Sequence, residues 1–161
     1  IASTSTFMNL HDAIQLACSW QDYHLFLFRD FNGATIAGLP DAEGFEEPEP
    51  EAALVKLSSF FAGDVRKCVY EYDFGDSWEH NVVLVGTVEL KELFRRRLID
   101  GERAFPPEDC GGISGYEDCV KVSQGSTEET IIGPASELRI WLGDWDSEYF
   151  DLAETKKIFD R

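Results

Sequence analysis

Tyr70-Glu71-Tyr72-Asp73-Phe74-Gly75-Asp76-Ser77-Trp78-Glu79-His80 is the stretch that decides how this chain is read. It gathers aromatics, carboxylates and one of the chain's three histidines into a short run. It reads as two strand ends around a tight turn. With Gly75-Asp76 as a two-residue turn, Gly stands first, as a type II′ hairpin requires. That register sets Asp73 opposite Trp78, Tyr72 opposite Glu79 and Glu71 opposite His80. A four-residue loop centred on the same bond keeps these pairs; a three-residue loop with a bulge does not. Side chains alternate between the faces of a strand. One face is therefore expected to carry Glu71, Asp73, Trp78 and His80, and the other Tyr70, Tyr72, Phe74 and Glu79. A carboxylate opposite His80 favours its cation, so its pKa is expected to rise. Glu71, Asp73 and His80 on one face are candidate ligands for a divalent metal, or an acid–base set. The plainer alternative is a cross-strand ion pair beside a Trp, with Asp76 stabilising the turn.

Working outward, residues 65–74 and 78–90 are the two longest strand candidates. Upstream, Leu10, Ile14, Ala17 and Cys18 repeat at helical spacing, so a helix is expected over 7–19 with Thr6 as its N-cap. A strand follows over 23–28, and Asn32-Gly33 signals a hairpin returning through Ala34-Thr35-Ile36. Residues 40–51 form an acidic, Pro-containing segment expected to be a mobile loop. Helical spacing resumes over 52–62. Downstream, 91–98 fits either helix or strand. Ser114-Gly115-Tyr116-Glu117 has capping-box spacing, which places a helix start there. Short helices are expected over 136–142 and from an Asp151 cap to Phe159. Helices at both ends around hairpin-joined strands predict one α+β domain over 1–161, with a mostly antiparallel sheet and helices packed on it.

The second unusual segment is the loop over 101–112. Pro106-Pro107 is stiff and Gly111-Gly112 is conformationally permissive. Between them Glu108, Asp109 and Cys110 are held for presentation, and N–H groups near the glycines can form an anion nest. The alternative is a rigid surface turn in which Asp109 satisfies local backbone donors.

The net charge is -17, from 31 acidic against 14 basic residues. Such a field repels polyanions, which disfavours direct nucleic-acid binding and favours a basic protein partner. Arg95-Arg96-Arg97 is the one dense basic run and reads as a solvated stretch. No apolar run is long enough to span a bilayer, and the start carries no secretory pattern, so a cytoplasmic protein with reduced thiols is expected. Cys18 and Cys68 lie in apolar patterns and read as small core residues.

These motifs also carry a family likeness. Leu10-His11 with Ile14 and Trp20, His24-Leu25-Phe26 with Phe28, and the Tyr70–His80 run resemble signatures of the plasmid Ri open-reading-frame-three-like family. So do Gly101-Glu102-Arg103-Ala104, the Pro106–Gly112 run and Gly115-Tyr116. Asp146 to Asp151 is similar to its Phe-Asp-Pro-x-x-Phe-Asp ending, with Trp145 and Ser147 substituted. Members include passenger proteins of bacterial insertion elements. The resemblance implies an α+β fold and a mobile-element association, and implies no particular reaction. Members often carry cysteines where this chain has Leu98 and Phe105. This chain keeps Cys110 alone, whereas a thiolate metal cluster needs several soft ligands. Members also usually begin with a strand bearing Pro-x-x-Trp-Arg-Arg; nothing here matches it, so either the start is truncated or that strand is absent.

The function expected from the sequence is a non-catalytic protein- or ligand-binding module. Its candidate binding residues are Tyr72, Asp73, Asp76, Trp78, His80, Glu108, Asp109, Cys110 and Tyr116. The second reading is a divalent-metal-dependent hydrolase or transferase using Glu71, Asp73, His80, Glu108 and Asp109. The third is a DNA-binding recombination accessory, which the charge opposes. The first two require the 101–112 loop to fold over the hairpin.

Overall fold

The computed structural model describes residues 1–39 and 50–160. Among them are helices α1 (Phe7–Cys18), α2 (Leu57–Phe60), α3 (Gly112–Ser123), α4 (Ala135–Leu142) and α5 (Leu152–Phe159). Strands β1 (Phe26–Arg29), β2 (Thr35–Gly38), β3 (Lys67–Tyr72) and β4 (Trp78–Val83) form one antiparallel sheet in the order β2-β1-β3-β4. The α+β class holds.

Local chemistry sets most boundaries where the spacing placed them. Thr6 caps α1 through its side chain, with Asn9 reaching back to complete the box. Asp151 accepts from the Glu154 N–H at the start of α5. Asp30 accepts from the Asn32 and Ala34 N–H groups and shapes the Asn32-Gly33 turn.

Three expectations are corrected. The helix expected over 52–62 is reduced to the single turn of α2. The strands expected to reach 74 and 90 end at Tyr72 and Val83. Helix α3 starts two residues before Ser114, at Gly112, with Gly111 as a left-handed cap at φ 88° and no side-chain cap bond. The glycine pair, rather than the Ser114–Glu117 box, makes that entry. The acidic loop expected over 40–51 lies outside the described residues except for its end. There Gly38 exchanges backbone hydrogen bonds with Pro50 and Ala52.

The core lies on one face of the sheet. Phe7, Trp20, Phe26, Phe28, Cys68, Tyr70 and Tyr72 are buried together there, under α1. A second cluster joins α3 and α4 through Cys110, Cys119, Val122, Ala135, Leu138 and Leu142. Trp78 packs against both clusters and links the sheet to the helical layer. Burying these large apolar side chains stabilises each by about 1.5–3 kcal/mol relative to exposure. Among the described residues no helix is long and apolar enough to cross a membrane.

Candidate functional site

The hairpin register differs by one residue from the expected one. Tyr72 pairs with Trp78, Glu71 with Glu79, and Tyr70 with His80. The loop is therefore 73–77, and the cause lies in Asp73. Asp73 takes the left-handed conformation at φ 56°, as does Ser77 at φ 55°. The Asp73 Oδ1 accepts from the N–H groups of Gly75 and Asp76 at 3.0 and 3.3 Å. Asp tolerates this conformation because its short side chain bonds locally. Gly75 has no positive φ, so the type II′ turn is not formed.

A one-residue slip moves every side chain of one strand to the other face. Trp78 and His80 thus join Tyr70 and Tyr72 on the buried face, while Glu71 and Glu79 share the outer face with Arg29. The proposed trio of Glu71, Asp73 and His80 is not assembled. His80 packs against Tyr70, Trp20 and Phe105, with centroid distances of 5.5, 5.5 and 5.9 Å. Desolvation lowers its pKa, against the expected rise.

The 101–112 loop does fold against the hairpin. Two indoles fix successive carbonyls of it: Trp145 Nε1 donates to Phe105 at 3.1 Å and Trp20 Nε1 donates to Pro106 at 2.8 Å. Glu108 accepts from the Tyr72 hydroxyl and from the Gln21 N–H, the latter at 2.7 Å. Asp76 Oδ2 accepts from the Gly111 N–H at 3.0 Å. The expected anion nest thus has an N–H taken by the chain's own carboxylate. At Gly112 (φ 65°) an added Cβ would stand 2.9 Å from the Asp76 carbonyl oxygen, so this close approach requires glycine.

His24, just before β1, completes the junction. The Asp73 N–H donates to the Leu25 carbonyl at 3.0 Å, which brings the start of β1 beside the turn. His24 Nε2 then lies 2.6 Å from Asp109 Oδ1 and 3.6 Å from Asp73 Oδ2. Desolvation opposes the His24 cation, but the hydrogen bond to Asp109 and the charges of Asp73, Asp109 and Glu108 outweigh it and raise the pKa. Sequence reasoning placed His24 in a strand and did not select it. Forty-nine residues separate it from Asp73, and only the β1–β3 register shows them to be neighbours.

The remaining candidates divide by exposure. Cys110 is fully buried, with its Sγ directed at the Gly112 carbonyl at 3.9 Å; the neighbouring Cys119 thiol and burial push its own thiol up. Cys110 is therefore structural, and presentation by the loop is corrected. Tyr72 is buried with its hydroxyl accepting from the Tyr23 and His24 N–H groups, so it orients the rim from below. Tyr116 packs edge-on between Trp78 and Trp145. Asp73, Asp76, Glu108 and Asp109 gather at the seam between hairpin and loop.

Asp109 also borders a groove of about 240 Å³ between the loop and the α4 region, lined with it by Ile132, Glu137, Leu138 and Trp141. None of the last four was singled out, because no motif marks them; α4 reads only as an amphipathic helix. Trp141 is 52% exposed there.

The sequence and fold have relatives. The family model for plasmid pRiA4b ORF-3-like proteins matches residues 1–154. An uncharacterised protein, y4hQ, of Sinorhizobium fredii is 29% identical over 163 aligned positions, covering 98% of this chain and 79% of its own. The crystal structure of MM3350, a protein of unknown function from Methanosarcina mazei Go1, superposes with a TM-score of 0.79 at 33% identity. That match covers 96% of this chain and 85% of the other. Together with the two motif runs at the seam, the match over 1–154 means that this chain belongs to the plasmid pRiA4b ORF-3-like family.

Proposed function

We propose that this chain is a binding module that takes a basic side chain of a protein partner in the groove between Asp109 of the 101–112 loop and α4. The observation that carries this reading is the groove beside Asp109. Its walls are apolar (Ile132, Leu138 and the exposed Trp141) and two carboxylates, Asp109 and Glu137, border it. A lysine or arginine fits such a surface, with its methylene stem along the wall and its cation on the carboxylates. The Trp141 ring adds a cation–π face. The net charge of -17 steers a basic partner toward the surface and opposes contact with a phosphate backbone.

Calorimetric titration with an arginine-rich peptide and a glutamate-rich peptide of equal length tests this. The basic peptide binds, and raising the salt weakens it. Trp141→Ala weakens it roughly fivefold, from the loss of about 1 kcal/mol of cation–π contact. Equal binding of both peptides, or full affinity in Trp141→Ala, refutes the reading.

A further inference from the structure

We propose that His24, Asp73 and Asp109 form a site for one divalent first-row transition-metal ion, bound by the imidazole Nε2 and one oxygen from each carboxylate. This goes beyond the groove reading and does not depend on it. The three ligand atoms lie within 4.8 Å of one another. With metal–ligand bonds near 2.1 Å, tetrahedral ligand atoms stand roughly 3.4 Å apart. The His24–Asp73 separation of 3.6 Å already matches, and the His24–Asp109 separation of 2.6 Å needs only a small opening of the exposed Asp109 side chain.

The arrangement is built from three sides by bonds that leave the ligand atoms free. Asp73 commits Oδ1 to the Gly75 and Asp76 N–H groups, which turns Oδ2 toward His24. Asp109 sits on a loop fixed at Phe105, Pro106, Glu108 and Gly111. His24 is set beside the turn by the Asp73–Leu25 backbone bond. A single Nε2 proton makes one good hydrogen bond, here to Asp109, and leaves the Asp73 oxygen at 3.6 Å without it. A dication bonds to all three at once and offsets the repulsion between the two carboxylates. One nitrogen and two carboxylate oxygens suit Mn²⁺, Fe²⁺ or Zn²⁺ better than Mg²⁺ or Ca²⁺, which favour oxygen alone. Water fills the remaining positions. Cys110 takes no part, since it is fully buried.

Equilibrium dialysis of chelator-stripped protein against MnCl₂ and against ZnCl₂, followed by elemental analysis, tests the site. One ion per chain is expected, and His24→Ala, His24→Gln and Asp73→Asn should each weaken binding at least roughly tenfold. Glu128→Gln/Glu129→Gln, an exposed acidic pair remote in sequence, should retain full affinity. Each variant is first checked for a native melting transition; His24→Gln stands in should the alanine variant not fold. Several weak ions per chain, equal in every variant, mean adventitious binding to surface carboxylates and overturn the proposal, as does full affinity in both His24 variants. Trp141→Ala separates the two readings, because it should weaken the peptide roughly fivefold and leave the metal affinity unchanged.

Discussion

Compare the two histidine environments of the sheet. On its buried face, His11 stacks on Phe26 at 3.7 Å and His80 is enclosed by Trp20, Tyr70 and Phe105. At the rim, His24 keeps 30% of its side chain exposed and faces two carboxylates. Burial holds the first two neutral, and the carboxylates favour the cation of the third. Residue type alone therefore does not mark a site; the face of the strand and the depth of the neighbour do. Inside, the imidazole fills a bonding pattern. Gln15 donates to the Tyr70 oxygen, so the Tyr70 hydroxyl donates to His11 Nδ1, and His11 Nε2–H donates to Asp22. At the rim, His24 bonds to the solvated Asp109 and leaves the Asp73 oxygen at 3.6 Å.

The largest effect comes from uncoupling the two regions. Gly115 lies on the α3 turn behind Cys110, and a Cβ there would meet the Cys110 carbonyl oxygen at 1.6 Å. Neither backbone can yield without moving the loop. Gly115→Ala should cost about 3 kcal/mol in a denaturant titration. A loss below about 1 kcal/mol would show that the loop is not locked to α3 and that the rim is not rigid.

Replacing the histidines one at a time comes next. His11→Ala removes a fully enclosed ring and breaks the Asp22–His11–Tyr70 chain, at a cost of about 2–3 kcal/mol. His24→Ala should change stability by no more than about 0.5 kcal/mol, since its partner Asp109 is solvated. Equal losses would erase the distinction between core and rim.

Acidification separates the same groups by sign. His11 and His80 have folded pKa values below the ordinary 6.5. The unfolded chain then binds more protons, so their contribution is present above 6.5 and is lost as the pH falls through the lowered folded values. The loss is at most about 1.4 kcal/mol per histidine for each pH unit. His24 has the opposite sign: its raised value stabilises below 6.5, and the gain disappears as the pH rises through the folded value. Melting curves from pH 8 to pH 5 should show a decline on the acid side that His80→Phe reduces. Were His80→Phe to leave that decline unchanged, His80 would not be held neutral.

Much of this could be read from the chain, for reasons that are local. The Thr6 and Asp151 caps, the Asn32-Gly33 turn and the hydrophobic period of α1 each act within a few residues. The approach of the Pro106–Gly112 loop to the hairpin was anticipated as a requirement, and Asp76, Glu108 and Asp109 lie at that contact. What escaped was register and long-range pairing. Gly75-Asp76 fits a two-residue turn or a four-residue loop on the same bond, but Asp73 carries the left-handed angle and lengthens the loop to five residues. That one slip turned His80 inward and Glu71 outward. Trp20 and Trp145 hold consecutive loop carbonyls, a role the sequence does not show, because a hydrogen bond over 86 or 40 residues leaves no local trace.

The smallest effect tests that register directly. Arg29 faces Glu79 and Glu71 on the outer side of the sheet, with its Nε 3.5 Å from Glu71 Oε2. Half of the Glu79 side chain is exposed, so the pair is screened and its coupling should fall below about 0.5 kcal/mol. A double-mutant cycle of Arg29→Ala and Glu79→Gln should resolve that small coupling, and a cycle of Glu71→Gln and His80→Phe should give none. The size matters less than which pair shows it. Coupling between Glu71 and His80 would restore the two-residue turn, return both to one face, and move the acidic chemistry from the His24 rim to the sheet.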